Sequence, residues 1–380
     1  MKRNRIQRYV VGFDKIILLC YVLLSLIGLI VMLDISSVQS SMVYFYRQLM
    51  FLFISGITAV VILYAFDLDK LRFAVPYMVY LTIGLLVIVL LKGSTIKGAT
   101  RQISLGPVNF QPSFLARVVL VFFFAHILDK RHEELLVSDT PMKFLNNFPS
   151  LVALTVITFV LIILERHLST LIIGGSTLFG MLIFAGARKR ILILIAAIGL
   201  IGGILVLSHG ADYRKARLST FTKYNLFFPK NDTLKVEDGD YQVRESLTAL
   251  TSGGILGTGI ARGRAKHYYL PEARTDYIFT IIGEEWGFLG AMVVFGLHCL
   301  LFFRAFRMSN NQDNRYFKFL GVGLAMNIFC NVLVNTGVSM SILPPTGNTL
   351  PFISYGGSAL LIDSASLGIL LNISAQRRYV

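Results

Sequence analysis

Asp276-Tyr-Ile-Phe-Thr-Ile-Ile-Gly-Glu-Glu-Trp-Gly-Phe-Leu-Gly-Ala-Met-Val-Val-Phe-Gly-Leu-His-Cys-Leu-Leu-Phe-Phe303 decides the fold class. The run exceeds the roughly 17–25 mostly apolar residues that carry a helix across a bilayer. Its charges gather in the first third, at Asp276, Glu284 and Glu285. Nine further apolar runs resemble it: Ile16–Leu33, Leu49–Phe66, Phe73–Leu91, Ser113–Leu128, Leu151–Leu164, Leu168–Gly186, Ile191–Leu207, Phe317–Met340 and Ser358–Ile373. Composition agrees. Of the 380 residues, 55% are hydrophobic and 15% charged, and the mean hydropathy is +0.67. Soluble chains carry about 25% charge. A soluble enzyme, a disordered chain and a disulfide scaffold are excluded. The sequence predicts an all-α polytopic membrane protein of ten transmembrane helices. It forms a single domain, 1–380, with a large extracytoplasmic loop, 208–274, between helices 7 and 8.

Lys and Arg in short loops set orientation. With the N-terminus inside, the inner loops and termini hold 19 basic residues and the short outer loops hold 5. Both termini are therefore expected in the cytoplasm. The net charge of +15 partly reflects this bias. No basic block interleaved with aromatics points to nucleic acid. Cys20, Cys299 and Cys330 lie in apolar runs, and the six histidines are scattered. No disulfide framework, metal cluster or organic cofactor follows from them.

The outer loop alternates aromatic, basic and glycine residues. Tyr213-Arg-Lys-Ala-Arg217, Ser252-Gly-Gly-Ile-Leu-Gly-Thr-Gly259 and Arg262-Gly-Arg-Ala-Lys266 are examples. Arg forks and Lys point charges suit an anionic ligand such as a phosphate. On residue type alone, a solvated charged loop is the commoner outcome. The glycine run lacks the Lys-Ser/Thr ending of a P-loop and reads better as tight turns. Asp276 stands where the polar loop meets the apolar run, with Glu272 four residues earlier. Partial desolvation there makes a carboxylate a better proton acceptor, fit for general-base work. Equally, Thr275 or Asp276 fits a helix N-cap. Glu284, Glu285 and Asp363 sit inside spans, where acids are costly and either functional or paired. Asn331 and Asn335 share a helix face and suit polar contact between helices. Leu343-Pro-Pro-Thr-Gly-Asn-Thr-Leu-Pro-Phe-Ile-Ser-Tyr-Gly-Gly-Ser358 carries no charge. Its prolines and glycines predict a rigid non-helical loop.

Two long stretches resemble the signatures of the SEDS family (shape, elongation, division and sporulation). They are Tyr269-Leu-Pro-Glu-Ala-Arg-Thr-Asp-Tyr-Ile-Phe-Thr-Ile-Ile-Gly-Glu-Glu-Trp-Gly-Phe-Leu-Gly290 and Thr349-Leu-Pro-Phe-Ile-Ser-Tyr-Gly-Gly-Ser358. Gly98-Ala-Thr-Arg-Gln-Ile, Gln111-Pro-Ser113 and Ser252-Gly-Gly-Ile-Leu-Gly257 add to the likeness. Thr349 and Gly186-Ala-Arg-Lys-Arg190 look closer to the FtsW division branch than to the RodA elongation branch.

The resemblance implies a peptidoglycan glycosyltransferase of the bacterial inner membrane. It would polymerise lipid II into β-1,4 glycan strands and release undecaprenyl pyrophosphate. Its partners would be a class B penicillin-binding protein and other divisome or elongasome proteins. The family's essential aspartate falls on Asp276. Arg101, Gln111, Arg117, Arg214, Arg217, Lys266 and Glu272 become candidate substrate contacts. A divalent metal, Mg or Mn, is an expected cofactor, with Asp276 as a candidate ligand. The same lipid would serve a flippase, and an inactive scaffold would recruit the same transpeptidase. The chain departs from the family at three places. Phe114 and Arg117 replace a glutamate and a lysine. Arg166-His-Leu-Ser-Thr170 replaces Pro-Asp-Leu-Gly-Thr. Asp363 stands where asparagine is common. Arg117 then needs a counter-ion from Glu284, Glu285 or Asp363.

Overall fold

The computed structural model describes residues 8–38, 41–96, 99–105, 108–208, 220–224 and 240–379. Every one of the ten apolar runs is helical. In chain order the helices are α1 (Lys15–Val38), α2 (Val43–Ala65), α3 (Leu68–Lys92), α4 (Pro112–Lys130), α5 (His132–Val137), α6 (Pro141–Asn147), α7 (Pro149–Leu164), α8 (Leu168–Phe184) and α9 (Lys189–Ser208). Then come α10 (220–224), α11 (Asp240–Gly253), α12 (Ile278–Asn310), α13 (Arg315–Ser339) and α14 (Gly357–Ser374). Among the described residues, seven helices are long and apolar enough to cross a membrane, or eight if the bent pair α6–α7 counts as one span. The shorter apolar α8 comes on top of these.

Proline sets several starts. Pro112, Pro141 and Pro149 each open a helix, where the missing N–H costs no intrahelical bond. Burial ranks the helices. In α4, α13 and α14, 67–78% of the apolar window is buried, against 22–39% in α1, α2, α3 and α12. The first three therefore form the centre. The others leave large apolar side chains such as Phe53, Phe73, Tyr77 and Leu91 outward, as a lipid-facing surface requires.

Each end of the bundle carries a small sheet. Strands β1 (Arg8–Gly12) and β5 (Gln376–Tyr379) pair antiparallel, so the two termini leave the bundle on the same side. There Arg304 holds Asp14 at 2.6 Å. The other sheet joins β2 (Ser94–Ile96), β3 (Ala99–Leu105) and β4 (Val108–Phe110) in that order. It packs against α3, α4 and α14 and presents Arg101.

The described parts of the segment read as an outer loop, 220–224 and 240–274, are built into the bundle. Thr220 and Lys223 of α10 hold Asp240 at 2.7 and 2.9 Å. Ser246 of α11 meets Thr280 of α12 at 2.7 Å and donates to the Ser339 carbonyl of α13 at 2.9 Å. The glycine run then clasps α12. Thr258 and Gly259 donate to the carbonyls of Glu284 and Glu285, and Phe288 and Leu289 donate to those of Gly254 and Ile255. α12 breaks at Gly287, which takes φ 67° and ψ −168°. A Cβ on Gly253, Gly257 or Gly287 would collide with facing backbone. The glycines thus serve close backbone packing rather than a phosphate cradle.

Candidate functional site

Asp276 lies just before α12. Tyr277, not Thr275 or Asp276, occupies the cap position, and no side-chain cap bond forms there. The preceding turn is folded by Glu272, a non-glycine residue at φ 56°. Its carbonyl accepts the N–H groups of Thr275, Asp276 and Tyr277 at 3.1–3.3 Å. Its carboxylate accepts the Thr275 hydroxyl at 3.0 Å. Left-handed backbone at a non-glycine residue persists only where its surroundings over-determine it. Here the surroundings are the uncharged loop 343–358. Ser354 donates to the Thr275 carbonyl at 2.6 Å, and Tyr355 N–H to the Arg274 carbonyl at 2.9 Å. Arg274 lies over the Tyr44 ring, 3.7 Å from its centroid.

Asn335 binds the backbone of both partners, donating to the carbonyls of Asp276 at 2.9 Å and Asn348 at 2.6 Å. Asn348 in turn donates to Asn331. The asparagine pair was expected to join helices; its bonds go instead to the loop at Asn348, and Asn335 alone also holds the main chain of the candidate aspartate.

The centre of the site is the space beside Gly347. The point where a Gly347 Cβ would stand is 3.4 Å from Asp276 Oδ2 and 3.8 Å from Arg101 Nη1. A carboxylate from the α12 start and a guanidinium from β3 therefore face one position. A hydroxyl to be deprotonated and an anion to be stabilised need just these two groups side by side.

The turn 165–170 forms a second wall. Ser169 Oγ donates to the Gly347 carbonyl at 3.1 Å. His167 is buried, and its Nδ1 receives the Gln111 amide at 2.9 Å. Ser113 and Thr170 hydroxyls lie 2.9 and 2.7 Å from the same atom. Burial, then Arg101 and Arg117 nearby, push His167 well below the ordinary histidine range, so the ring is neutral. With Nδ1 accepting, the ring proton sits on Nε2, and the backbone of Gly347 also acts on the ring. Arg166 bends this turn at φ 59°. Glu165 is fully buried, and burial pushes it up to about 8 against the pull of Arg101.

Several sequence expectations move. Lys266 is not a ligand contact: its side chain is fully buried, with Nζ 2.7 Å from both Asp34 oxygens and 2.5 Å from Glu285 Oε1. An ammonium held by two carboxylates has no donor left to point at a ligand in the Gly347 space. Gln111 commits its amide to His167 and Ser113, so it supports the turn. Arg117 is buried inside α4, 5.3 Å over the Phe114 ring. The acid acting on it is Asp363 of α14, not Glu284 or Glu285. Those two accept loop amides instead. Glu284 takes Arg264 N–H at 2.7 Å, and Glu285 takes Gly263 N–H at 3.1 Å. Arg214 and Arg217 lie outside the described residues. Sequence reading missed Glu165, His167, Gly347 and Ser354. The departure at Arg166-His-Leu-Ser-Thr170 was the signal for the first two.

A metal is a poor fit to this donor set. Asp276 faces a guanidinium rather than a second carboxylate. Among the described residues no three His, Cys, Asp or Glu side chains converge as cation ligands.

The family model FTSW_RODA_SPOVE, described as "Cell cycle protein", matches residues 14–379. A probable peptidoglycan glycosyltransferase FtsW from Geobacter sp. (strain M18) is 33% identical over 381 residues, spanning 98% of this chain and 99% of that protein. Stage V sporulation protein E of Bacillus subtilis (strain 168) is 32% identical over 377 residues, spanning 96% and 98%. Two solved structures share the fold. One, from the "Structural coordination of polymerization and crosslinking by a peptidoglycan synthase complex", has TM-score 0.77 at 24% identity, covering 96% of this chain and 98% of its own. The other, rod shape determining protein RodA of Thermus thermophilus, has TM-score 0.68 at 23% identity, covering 96% and 97%.

Proposed function

This chain belongs to the FtsW/RodA/SpoVE family, and on that premise we propose that it is a peptidoglycan glycosyltransferase that polymerises lipid II. The observation that carries the reading is the pairing of Asp276 and Arg101 across the Gly347 space.

Asp276 Oδ2 accepts the proton of the acceptor sugar's 4-hydroxyl. The hydroxyl oxygen attacks the anomeric carbon of the donor. The bond from that carbon to the pyrophosphate oxygen breaks, and the bond pair leaves with the pyrophosphate. One in-line displacement converts the α-linked donor into a β-1,4 product. Pyrophosphate leaves without needing a proton, so the protein's second task is charge stabilisation, which falls to Arg101. A positioned base supplies about 10²–10⁴-fold, and a charge-stabilising donor about 10²–10³-fold. Asn335, Ser354 and Glu272 hold the main chain around Asp276, which keeps its carboxylate from wandering. Among the described residues no cluster of cation ligands forms beside Asp276, and the step is written on the chain's own side chains alone.

The chain is a multi-pass membrane protein. We infer that it lies in the cytoplasmic membrane with both termini inside and Asp276 outside. The basic-residue bias and the β1–β5 pairing of the two ends support this. The inferred partner is a class B penicillin-binding protein, in division or sporulation, as family membership suggests.

The test is glycan synthesis from labelled lipid II by the purified chain with that partner, its transpeptidase blocked. Long glycan supports the polymerase. No glycan, with lipid II translocation across vesicles instead, favours transport.

A further inference from the structure

Glu165 differs from the buried acids Glu284, Glu285 and Asp34. Glu284 and Glu285 each hold loop amides, and Glu285 and Asp34 share Lys266. Glu165 is equally buried, yet neither carboxyl oxygen has a hydrogen-bond donor among the described residues. A buried charge without such partners costs several kcal/mol. A structural acid would be expected to resemble Glu284.

Its position is not incidental. Glu165 opens the turn whose Ser169 holds the Gly347 carbonyl and whose His167 also meets the Gly347 backbone. On the far side of Gly347 stand Asp276 and Arg101. Arg101 is also the charged group that acts on Glu165. Arg101 thus shares the Gly347 space with Asp276 and also acts on the Glu165 carboxyl. From α4, Arg117 acts on His167. His167, the residue before α8, is neutral. Lys92, in the last turn of α3, is exposed. Lys143 of α6 lies at the opposite end of the 16-residue α7.

Resting on the polymerase reading above, we propose that Glu165 is a positioning residue for the donor's pyrophosphate. When ionised it competes with the phosphates for Arg101, and when protonated it releases the guanidinium to them. The proton stays on the Glu165 carboxyl and takes no part in the transfer, so the chemistry at Asp276 is unchanged. Burial holds Glu165 near 8, so the competition grows as pH rises from 7 to 9.

The experiment measures KM and kcat for lipid II at pH 7, 8 and 9, with the class B partner, for wild type, Glu165→Gln and Glu165→Asp. In parallel, a fluorescent undecaprenyl pyrophosphate is titrated into the detergent-solubilised chain. For the wild type, KM and the titrated Kd should rise by up to about tenfold from pH 7 to 9, with kcat moving less. Glu165→Gln should flatten that rise to within about twofold, since its amide does not titrate, and Glu165→Asp should keep it. The Gln variant also controls for titration of the ligand and of Asp276. A wild-type rise that survives in Glu165→Gln overturns the proposal. So does a pH effect carried by kcat alone. If Glu165→Gln yields no folded protein, the wild-type and Asp profiles decide, and a flat wild-type KM and Kd overturn it. Absence of polymer at every pH would count against the polymerase reading, while the Kd arm would still decide the role of Glu165.

Discussion

Replacing Lys266 by methionine separates a ligand contact from a structural one. Lys266 Nζ sits 2.7 Å from both oxygens of Asp34 and 2.5 Å from Glu285 Oε1. The lysine side chain is 0% exposed, and its partners are 7% and 3% exposed. Removing the ammonium leaves two buried carboxylates facing each other. Breaking one buried pair costs about 3–5 kcal/mol, and here a single lysine serves two acids. At about 2–4 °C per kcal/mol, the melting temperature of Lys266→Met should fall by about 6–20 °C. The assay is thermal unfolding in detergent, followed by fluorescence of the single tryptophan. That residue, Trp286, adjoins Glu285 and reports on this region. The triple variant Lys266→Met, Asp34→Asn, Glu285→Gln removes all three charges. It should recover at least half of the loss, because the dominant cost is the uncompensated charge. The reasoning fails if Lys266→Met melts like the wild type while its polymerisation collapses. That result would return Lys266 to the ligand.

Gly347→Ala places a methyl in ordinary contact with Asp276 and Arg101, so the fold should hold. The shared space is filled, and kcat/KM should drop about 10–100-fold, with the melting temperature unchanged. Glu165→Gln should stabilise the protein in a pH-dependent way. The folded carboxyl is raised to about 8, against about 4.3 unfolded. Below both values the carboxyl costs nothing. As pH climbs between them, folding must retain a proton that the unfolded chain releases, at about 1.4 kcal/mol per pH unit. The melting-temperature gain of the variant should therefore grow from pH 5 to 8, and a constant difference would refute the burial argument. Gly257→Ala puts a side chain at φ 84° and into the Glu285 backbone. It should loosen the clasp on α12, read as faster proteolysis within residues 252–266.

The helices were legible because hydropathy is a local property. Each of the ten apolar runs is helical within a few residues of its expected ends, apart from the early starts of α2 at Val43 and α3 at Leu68 and the overrun of α12 to Asn310. Asp276 was legible for the same reason: a boundary between polar and apolar sequence marks where a side chain can be half desolvated. Pairing was much less legible. Lys266 reaches Asp34 across 232 positions, and nothing in the spacing of either residue announces it. Glu284 and Glu285 read as acids in need of cations, yet four of their partners are backbone N–H groups, which every residue type offers. Of the three acids weighed for Arg117, spacing gave no ranking, and the packing of α4 and α14 chose Asp363. The 165–170 turn was marked only as a departure from the family pattern. Its place beside Gly347 comes from the fold.

In the proposed mechanism Asp276 takes the proton in glycan transfer. The most direct measurement is glycan synthesis from labelled lipid II by Asp276→Asn beside the wild type, with matched Trp286 melting curves and the class B partner present. The wild type should make polymer, and the folded variant should lose at least about 100-fold. Polymer from Asp276→Asn at near the wild-type rate would contradict this role of Asp276.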